Sequence, residues 1–320
     1  MDVIGVGDAA IDIYLEVDHI PSRDEKLLAR STNLYPGGMV ANFLVALRRL
    51  GTPCGFHGLV GDDEFGRLTI SDLAINDVDI NGAVIKQGGH TYFCVIMLDE
   101  SGEKSLVIAP TNCLFPLPDD VSEQVIARAR HLHTTATIIP TVKKAISLAR
   151  RHGLTISLDL ESTAVGKDEL WSLLTQVDIL FTNQRAIKLL CEAETLDVAA
   201  DVILNRGLGL VCITMGRAGT LILSSSGLIK ATAFAVRAVD TTGAGDAFAA
   251  GFVHGFLRGW PLPQLATFAS AVAAINVTCR SGHAGVPTLD EVNNFLREYS
   301  HKLPVLESFS KLRFYKQNYE

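Results

Sequence analysis

The stretch that decides the fold of this sequence is Asp240-Thr241-Thr242-Gly243-Ala244-Gly245-Asp246. It follows residues 235–239, which we interpret as a strand, and it opens a helix-forming run at 247–253. Glycines at a strand-to-helix turn let successive backbone N–H groups converge, and the helix N-terminus adds partial positive charge. The stretch therefore predicts an anion site with Asp246 placed to accept a proton from a substrate hydroxyl. The plainer alternative is that Asp246 caps the helix and the glycines form an ordinary turn.

Outward from this stretch, helix-period segments alternate with short β-rich runs from about residue 120 onward. This alternation is typical of βα units around a mainly parallel sheet, so we expect an α/β fold. Helices are predicted at 121–130, 141–152, 184–192, 197–205, 246–258, 263–279 and 289–299. Buried strands are predicted at 155–158, 178–181 and 210–213.

Two earlier segments break the alternation. Apolar residues recur at every second position in 11–18, and residues 91–98 and 104–108 are predicted as two strands joined around 100–102. Because these pieces carry no crossover helices of their own, we expect them to form a small β lid. A small sheet exposes edges and an apolar face, so we also expect a homodimer through the lid. The tail after Pro304 is weakly patterned.

One motif near the start suggests a different function. Gly5-Val6-Gly7-Asp8-Ala9-Ala10 fits the G-x-G-x-x-G/A dinucleotide fingerprint. That fingerprint requires a helix to begin at the glycines, so that the helix N-terminus faces the pyrophosphate. Residues 11–18 are instead predicted as a strand. We therefore reject dinucleotide binding and expect the glycines to bring Asp12 toward a ligand.

The composition excludes several classes of protein. The chain has 28 Lys+Arg against 35 Asp+Glu, a formal net charge of −7, so no long-range field attracts nucleic acid or an anionic membrane. The most apolar stretch, 266–277, is shorter than the roughly 20 residues that span a bilayer. The six cysteines are scattered singly, which predicts neither a zinc site nor a disulfide framework. With Asp2 in place of the basic residues of a secretory signal, we expect a cytoplasmic protein.

Residues 240–246 resemble the C-terminal signature of the PfkB carbohydrate kinase family, which has the ribokinase-like fold. Gly37-Gly38-Met39-Val40-Ala41-Asn42 resembles the N-terminal diglycine segment of that family. Residues 214–219, Asn183 and the predicted helix 263–279 resemble its nucleotide-facing parts. The resemblance covers roughly residues 2 to 298, nearly the whole chain.

The resemblance implies a three-layer α/β/α fold with a mainly parallel central sheet and a small β-sheet lid. The main domain would comprise 1–12, 36–90 and 110–304. The lid would comprise 13–35 and 91–109, and 305–320 would be a C-terminal tail.

The resemblance also implies an ATP-dependent kinase that phosphorylates a primary hydroxyl of a monosaccharide or sugar derivative, with ATP and Mg²⁺ as cofactors. Asp246 would be the general base, and the backbone amides of Gly243, Ala244 and Gly245 would stabilise charge on the transferring phosphoryl group. The expected sugar-binding residues are Asp12, Gly37, Gly38 and Asn42. The expected nucleotide-binding residues are Asn183, Thr214, Gly216, Gly219 and Ser270.

The sequence departs from its relatives in two places. Ala186 stands where many members have the Glu of an N-x-x-E motif that organises magnesium. Asp159 and Glu161, at the end of a predicted strand, are on the correct sheet edge to replace it, with a capping or solvated role as an equal alternative. Met39 and Ala10 replace the Lys and Asn that true ribokinases carry, so we expect a sugar other than ribose.

Other interpretations of the same residues stay open. Residues 280–287 lie where some relatives bind a monovalent cation near Asp240 and Thr242, which makes potassium a further candidate cofactor. A nucleoside kinase of the same fold would need an aromatic pocket for the base. Its candidate lining residues are Tyr14, Phe43 and Tyr92. A non-catalytic sugar-binding regulator is the alternative from a different functional class.

Overall fold

A computed structural model describes residues 1–100, 104–167, 169–225, 227–299, 304 and 306–309 of the chain. The strands are β1 (Val3–Gly7), β2 (Ala10–Glu16), β3 (Ser31–Gly37), β4 (Cys54–Gly61), β5 (Val84–Lys86), β6 (Phe93–Leu98), β7 (Lys104–Ala109), β8 (His131–Thr135), β9 (Thr155–Leu160), β10 (Ile179–Asn183), β11 (Leu210–Thr214), β12 (Thr220–Ser224), β13 (Gly227–Ala231) and β14 (Leu306–Phe309). The helices are α1 (Met39–Arg49), α2 (Glu64–Ile75), α3 (Glu123–Ile126), α4 (Ile139–Arg151), α5 (Leu170–Leu174), α6 (Gln184–Leu190), α7 (Leu196–Asn205), α8 (Ala244–Phe256), α9 (Leu262–Asn276) and α10 (Leu289–Glu298).

Ten strands form the large sheet, in the order β14-β13-β12-β11-β10-β9-β8-β1-β4-β5. Pairing is parallel from β5 through β11 and antiparallel from β11 to β14. A parallel sheet is covered on both faces, which explains why its strands are apolar runs rather than alternating ones. The expected mainly parallel α/β fold is confirmed.

Helices cover both faces of the large sheet and make the structure three-layered. Strand residues alternate between the two cores: Val211 and Ile213 of β11 pack on the side of α4 to α7, whereas Cys212 packs on the side of α1, α8 and α9. Helix α9 lies against α8. Within the described ranges, no helix is long and apolar enough to cross a membrane.

The lid is also confirmed. A separate sheet has the order β3-β2-β6-β7. Strands β2, β6 and β7 come from the segments that break the α/β alternation, whereas β3 was not predicted as a strand. Its inner face buries Tyr14, Tyr92, Cys94 and Ile96. Of the turn expected at 100–102, only Glu100 lies within the described residues. The strand predicted after the glycines of the fingerprint is confirmed as well, because β1 is followed by strand β2 and not by a helix.

Two sequence predictions are wrong. Residues 235–239 are not a strand, because β13 already pairs with β12 on one side and β14 on the other, which leaves no free edge. This segment instead leads the chain from the sheet toward α8, with the N–H groups of Val239 and Asp240 bonded to the carbonyl of Val277. The helix predicted at 121–130 shortens to α3, because Arg130 and His131 already bond to Asp2 as the chain enters β8.

Candidate active site

The anion turn lies at the N-terminus of α8. Gly243 has φ 73°, and a Cβ built on it would lie 2.2 Å from the carbonyl oxygen of Gly282, so only glycine fits. The N–H of Ala244 bonds to the carbonyl of Thr241 at 3.3 Å. In the part of the chain that the structure describes, the N–H groups of Gly243 and Gly245 have no hydrogen-bond partner, and a Cβ on Gly245 would meet open space. The turn therefore offers free donors beside a helix N-terminus, the arrangement that binds anions.

Asp246 lies in the first turn of α8 and is 8% exposed. Its Oδ2 accepts a hydrogen bond from Nδ2 of Asn42 at 2.9 Å. Burial raises the pKa of Asp246 well above its usual value, and the charges of Asp8, Glu161 and Asp12 raise it further, while the bond from Asn42 opposes the shift. A carboxyl group with a raised pKa is a stronger base than an exposed one, which suits proton abstraction near neutral pH.

The diglycine segment brings α1 against the lid strand β2. Gly38 caps α1 with φ 95°, and a Cβ on Gly37 would lie 2.4 Å from Oδ2 of Asp12. Asp12 is 5% exposed. Burial raises the pKa of Asp12 to about 6, and the charge of His283 acts in the opposite direction. The structure thus places Gly37, Gly38 and Asp12 side by side, whereas Asn42 points to Asp246.

Asp8 is a site residue that the sequence analysis missed. Its carboxylate accepts hydrogen bonds from the N–H groups of Met39 at 3.0 Å and Val40 at 3.4 Å, at the start of α1. Burial raises the pKa of Asp8, and the bonds to Met39 and Val40 oppose the shift. The available signal was an acid directly after a buried strand, hidden inside the rejected dinucleotide fingerprint.

A small cavity of about 30 Å³ joins the carboxyl ends of β9, β10 and β11 to the anion turn. Its lining residues are Asp159, Glu161, Phe181, Thr182, Asn183, Thr214, Gly245 and Phe248. Asn183 caps α6 by accepting from the N–H of Ala186, and its Nδ2 donates to Oε2 of Glu161 at 3.2 Å. Ligands of parallel sheets gather at this edge, so the cavity is a candidate binding site beside Gly245 of the anion turn.

The acids of this cavity fit a divalent cation bound together with phosphates. Burial raises the pKa values of Asp159 and Glu161, and for Asp159 the charges of Glu161 and Asp246 add to the effect. Among the described residues, no group of three or more His, Cys, Asp or Glu is arranged to hold a metal ion. Magnesium needs no such group, because it commonly binds one or two carboxylates together with phosphate oxygens and water.

The other predicted nucleotide residues lie outside this cavity. Gly216 begins a short 3₁₀ turn after β11, and Gly219 ends it with φ 94°, where a Cβ would lie 1.9 Å from the carbonyl oxygen of Ala231. Ser270 lies on α9, and its buried Oγ has no partner among the described residues. The structure therefore joins Asn183 and Thr214 to the cavity but not Gly216, Gly219 or Ser270.

The carboxylate of Asp240 accepts hydrogen bonds from several segments of the chain. Its Oδ1 accepts from the N–H and Oγ1 of Thr242 at 2.9 and 2.8 Å. Its Oδ2 accepts from the hydroxyl of Tyr14 at 2.7 Å and from the N–H of Ser281 at 3.1 Å. Burial would raise the pKa of Asp240, but these hydrogen bonds outweigh it and the net shift is downward. The charged form of Asp240 is thus stabilised by four donors.

Phe43, which was expected to line a nucleobase pocket, lies in the hydrophobic core instead. Phe43 is fully buried and stacks on the ring of His133, with ring centroids 3.6 Å apart. It belongs to the core between α1 and the large sheet. No aromatic pocket that includes Phe43 is therefore open to a ligand.

Known proteins resemble the chain along nearly its whole length. The family model described as pfkB family carbohydrate kinase matches residues 2–289. An ATP-dependent ribose-1-phosphate kinase from Halopiger xanaduensis is 32% identical over 296 residues, which cover 92% of this chain and 98% of that protein. A 5-dehydro-2-deoxygluconokinase from Geobacillus thermodenitrificans is 27% identical, with 95% and 96% covered.

A solved structure extends the likeness to three dimensions. The E. coli protein provisionally named ribokinase II, in complex with ATP and Mg²⁺, superposes with a TM-score of 0.83 at 25% identity. The match covers 93% of this chain and 99% of that one. The fold is therefore ribokinase-like, and the small sheet corresponds to the lid. The chain belongs to the pfkB family of carbohydrate kinases and is a phosphotransferase that acts on sugar hydroxyls.

Proposed function

We propose that this kinase transfers the γ-phosphoryl group of ATP to a primary hydroxyl of a monosaccharide or sugar derivative, with Asp246 as the general base. The observation that carries the proposal is the position of Asp246. It is a buried carboxylate with a raised pKa, held by Asn42, in the same helical turn as the free N–H groups of Gly243 and Gly245. A base and an anion site in one turn are what an in-line transfer from phosphate to hydroxyl needs.

In this mechanism the protein positions groups and stabilises charge. Asp246 accepts the hydroxyl proton as the oxygen attacks, and the amides of 243–245 receive the negative charge that develops on the phosphoryl oxygens. Asp12, Gly37 and Gly38 hold the sugar beneath the lid. The lid excludes water, which would otherwise compete as the acceptor.

ATP is expected at the carboxyl ends of β9 to β11. Asn183 and Thr214 line this edge, and Gly216, Gly219 and Ser270 are assigned to the outer parts of the nucleotide. Asp159 and Glu161 would hold magnesium, which when bound neutralises phosphate charge. Potassium beside Asp240 and Thr242 belongs to the same proposal, and its support is the packing of loop residue Ser281 against Asp240.

The acceptor is proposed to be a sugar derivative rather than free ribose. Met39 and Ala10 are the positions that differ from true ribokinases. Although other relatives are named ribokinase and fructokinase, the two described above are named for a phosphorylated pentose and a deoxy sugar acid. Both of these acceptors carry negative charge. The proposal therefore favours anionic monosaccharides.

The experiment is an ADP-release assay with a panel of acceptors. The panel contains ribose, ribose 1-phosphate, fructose, 5-dehydro-2-deoxygluconate and adenosine, each with and without K⁺. We expect turnover with a monosaccharide derivative that Asp246→Asn abolishes. Preference for adenosine would make the chain a nucleoside kinase, and tight sugar binding without any turnover would make it a regulator.

Two further proposals concern the setting of the enzyme. We propose a homodimer through the lid, supported by the apolar side chains on β3 and β7, the two edge strands of the lid. These exposed residues are Leu34, Leu106, Val107 and Ile108. We also propose a cytoplasmic location, supported by six cysteines that are all free thiols.

A further inference from the structure

We propose that His283 is a positioning residue that fixes the side-chain amide of Asn42 and, through it, the carboxylate of Asp246. The inference rests on the proposed function, because it concerns the group assigned as the general base. His283 lies in the loop that follows α9 and is 4% exposed. Neither the sequence patterns nor the proposed mechanism assigns it a role.

Four side chains form a continuous line that ends at Asp246. Nδ1 of His283 lies 2.9 Å from Oδ1 of Asn42, and Nδ2 of Asn42 donates to Oδ2 of Asp246 at 2.9 Å. On the far side of the ring, Nε2 lies 2.9 Å from Oδ2 of Asp72 on α2. The line therefore connects α2, the loop, α1 and α8.

The chemistry of the amide gives His283 its role. An asparagine presents an oxygen acceptor on one side and an NH₂ donor on the other, so a half-turn would put its oxygen against the carboxylate of Asp246. With the proton on Nδ1, His283 donates to Oδ1 of Asn42 and so selects the orientation in which the NH₂ group faces Asp246. On the opposite side of the ring, Oδ2 of Asp72 lies close to Nε2 without the geometry of a hydrogen bond.

The backbone of the loop supports the same arrangement. A Cβ on Gly282 would lie 2.6 Å from Nδ2 of Asn42, so the loop backbone packs directly on the amide. The carbonyl of Gly282 also lies against Gly243 of the anion turn, and the N–H of Ser281 bonds to Asp240. The loop that carries His283 therefore contacts both Gly243 in the anion turn and Asp240 just before it.

A direct contact with the sugar is a weaker account of His283. Both ring nitrogens already face protein oxygens, and the side chain is buried. A ligand could reach the ring only by displacing Asn42 or Asp72. The positioning role needs no such rearrangement.

The test is a double-mutant cycle between His283 and Asn42. We expect His283→Ala and Asn42→Ala each to lower kcat about 10- to 100-fold, because small misplacements of a catalytic group have effects of this size, while KM for ATP is unchanged. Since His283 acts through Asn42, the double variant should fall no more than about twofold below Asn42→Ala. Multiplicative losses in the double variant would overturn the proposal.

Conservative replacement gives a second readout that a merely structural role would not produce. His283→Gln keeps a side-chain donor and should retain more turnover than His283→Ala at equal thermal stability. If it is no more active than the alanine variant, the donor to Asn42 is not what matters and the proposal fails. Where His283→Ala does not fold, His283→Leu replaces it in the cycle.

The matched control is His57, another buried histidine, which accepts a hydrogen bond from the N–H of Ser122 at 2.9 Å. His57→Ala should lower stability but leave kcat within about twofold of wild type, since the ring has no contact with Asn42. A wild-type enzyme that phosphorylates no acceptor would overturn the proposed function and this inference together. Turnover by the wild type with independent losses in the cycle would overturn the positioning role alone.

Discussion

The hydroxyl of Tyr14 donates to Oδ2 of Asp240 at 2.7 Å and so joins the inner face of the lid to the segment that leads into the anion turn. Tyr14→Phe removes this bond. A hydrogen bond to a charged group contributes about 1.5–3 kcal/mol, so we expect kcat/KM for the sugar to fall about tenfold or more. ATP hydrolysis without acceptor should rise relative to transfer, because the lid excludes water less well.

Tyr35→Phe is the control for this prediction. The ring of Tyr35 contacts that of Tyr14 edge to face, with centroids 5.3 Å apart. Tyr35→Phe should leave kcat/KM for the sugar and the ratio of ATP hydrolysis to phosphoryl transfer near their wild-type values. Equal behaviour of the Tyr14 and Tyr35 variants would show that the hydroxyl of Tyr14 does not hold the lid.

Removing the charge of Asp246 and removing that of Asp240 should change the free energy of unfolding in opposite directions. Because the pKa of Asp246 is raised in the folded state, its contribution to stability is present at low pH and is lost as pH rises through the folded value. Asp246→Asn should therefore raise the unfolding free energy of the ligand-free protein at pH 7.5, on the order of 1 kcal/mol, while kcat falls 10²- to 10⁴-fold.

The pKa of Asp240 is lowered, so its charged form stabilises the fold above the unfolded value, and Asp240→Asn should lower the unfolding free energy. Urea denaturation of both variants checks the signs. Two shifts of the same sign would contradict the assignment of opposite environments to these acids.

Two buried histidines should make the protein sensitive to acid. Burial lowers the pKa of His131 to about 3 and lowers that of His133 as well, while Ser157 bonds to both rings. The unfolded chain binds protons near pH 6.5 and the folded chain does not, so each ring lowers stability as pH falls below about 6.5.

His133→Leu removes one of these protons. Its stability relative to wild type should increase as pH is lowered from 7 to 5, with a slope of up to about 1.4 kcal/mol per pH unit. The buried acids with raised pKa values act in the opposite direction, but they are common to both proteins and cancel in the difference. His90→Gln, at an exposed position, leaves both buried rings in place and is the control for this comparison.

Glu161 should set the magnesium requirement. Its carboxylate lines the cavity beside Asp246 and accepts from Asn183. Glu161→Gln keeps the shape but removes the charge, so half-maximal turnover should need about tenfold more Mg²⁺. Glu169→Gln, at an exposed position paired with Lys143, should leave the titration unchanged. An unaltered magnesium titration in Glu161→Gln would mean that other groups hold the ion.

The lid should control the oligomeric state. Val107 is 56% exposed on edge strand β7. Val107→Glu places a charge on the proposed interface and should convert a dimer to a monomer in analytical ultracentrifugation at micromolar concentration. Ile75→Glu, on α2 and 80% exposed, should remain dimeric. A monomeric wild type at the same concentration would contradict the dimer.

The sequence predicted the parts of this fold that depend on local pattern. The βα alternation, the lid strands and the helix that begins after Gly243 follow from periodicity and glycine placement, which are properties of neighbouring residues. The strand predicted at 235–239 could not be corrected from such local properties. Its failure depends on β14, a strand of residues 306–309 that pairs with the otherwise free side of β13.

The candidate site shows the same division between features set by neighbouring residues and features set by distant parts of the chain. Asp246 and the glycine turn carry a clear local signal. The only local signal of Asp8 is its place directly after a buried strand, and His283 carries none, because their roles come from partners far along the chain. Nor does the sequence show that the amide of Asn42, expected to contact sugar, also lies between Asp246 and His283. A side chain's partners are fixed by packing, which a single sequence does not display.

The hydrogen bonds around the anion turn join parts of the chain that are very distant in sequence. Asn42 to Asp246, Tyr14 to Asp240 and Asn42 to His283 span 204, 226 and 241 positions. Contacts of such long sequence separation close late, because the large loops between them must first be ordered. Recovery of activity during refolding should therefore lag behind recovery of helical signal, and enzymatic assay becomes a reporter of the final step of folding.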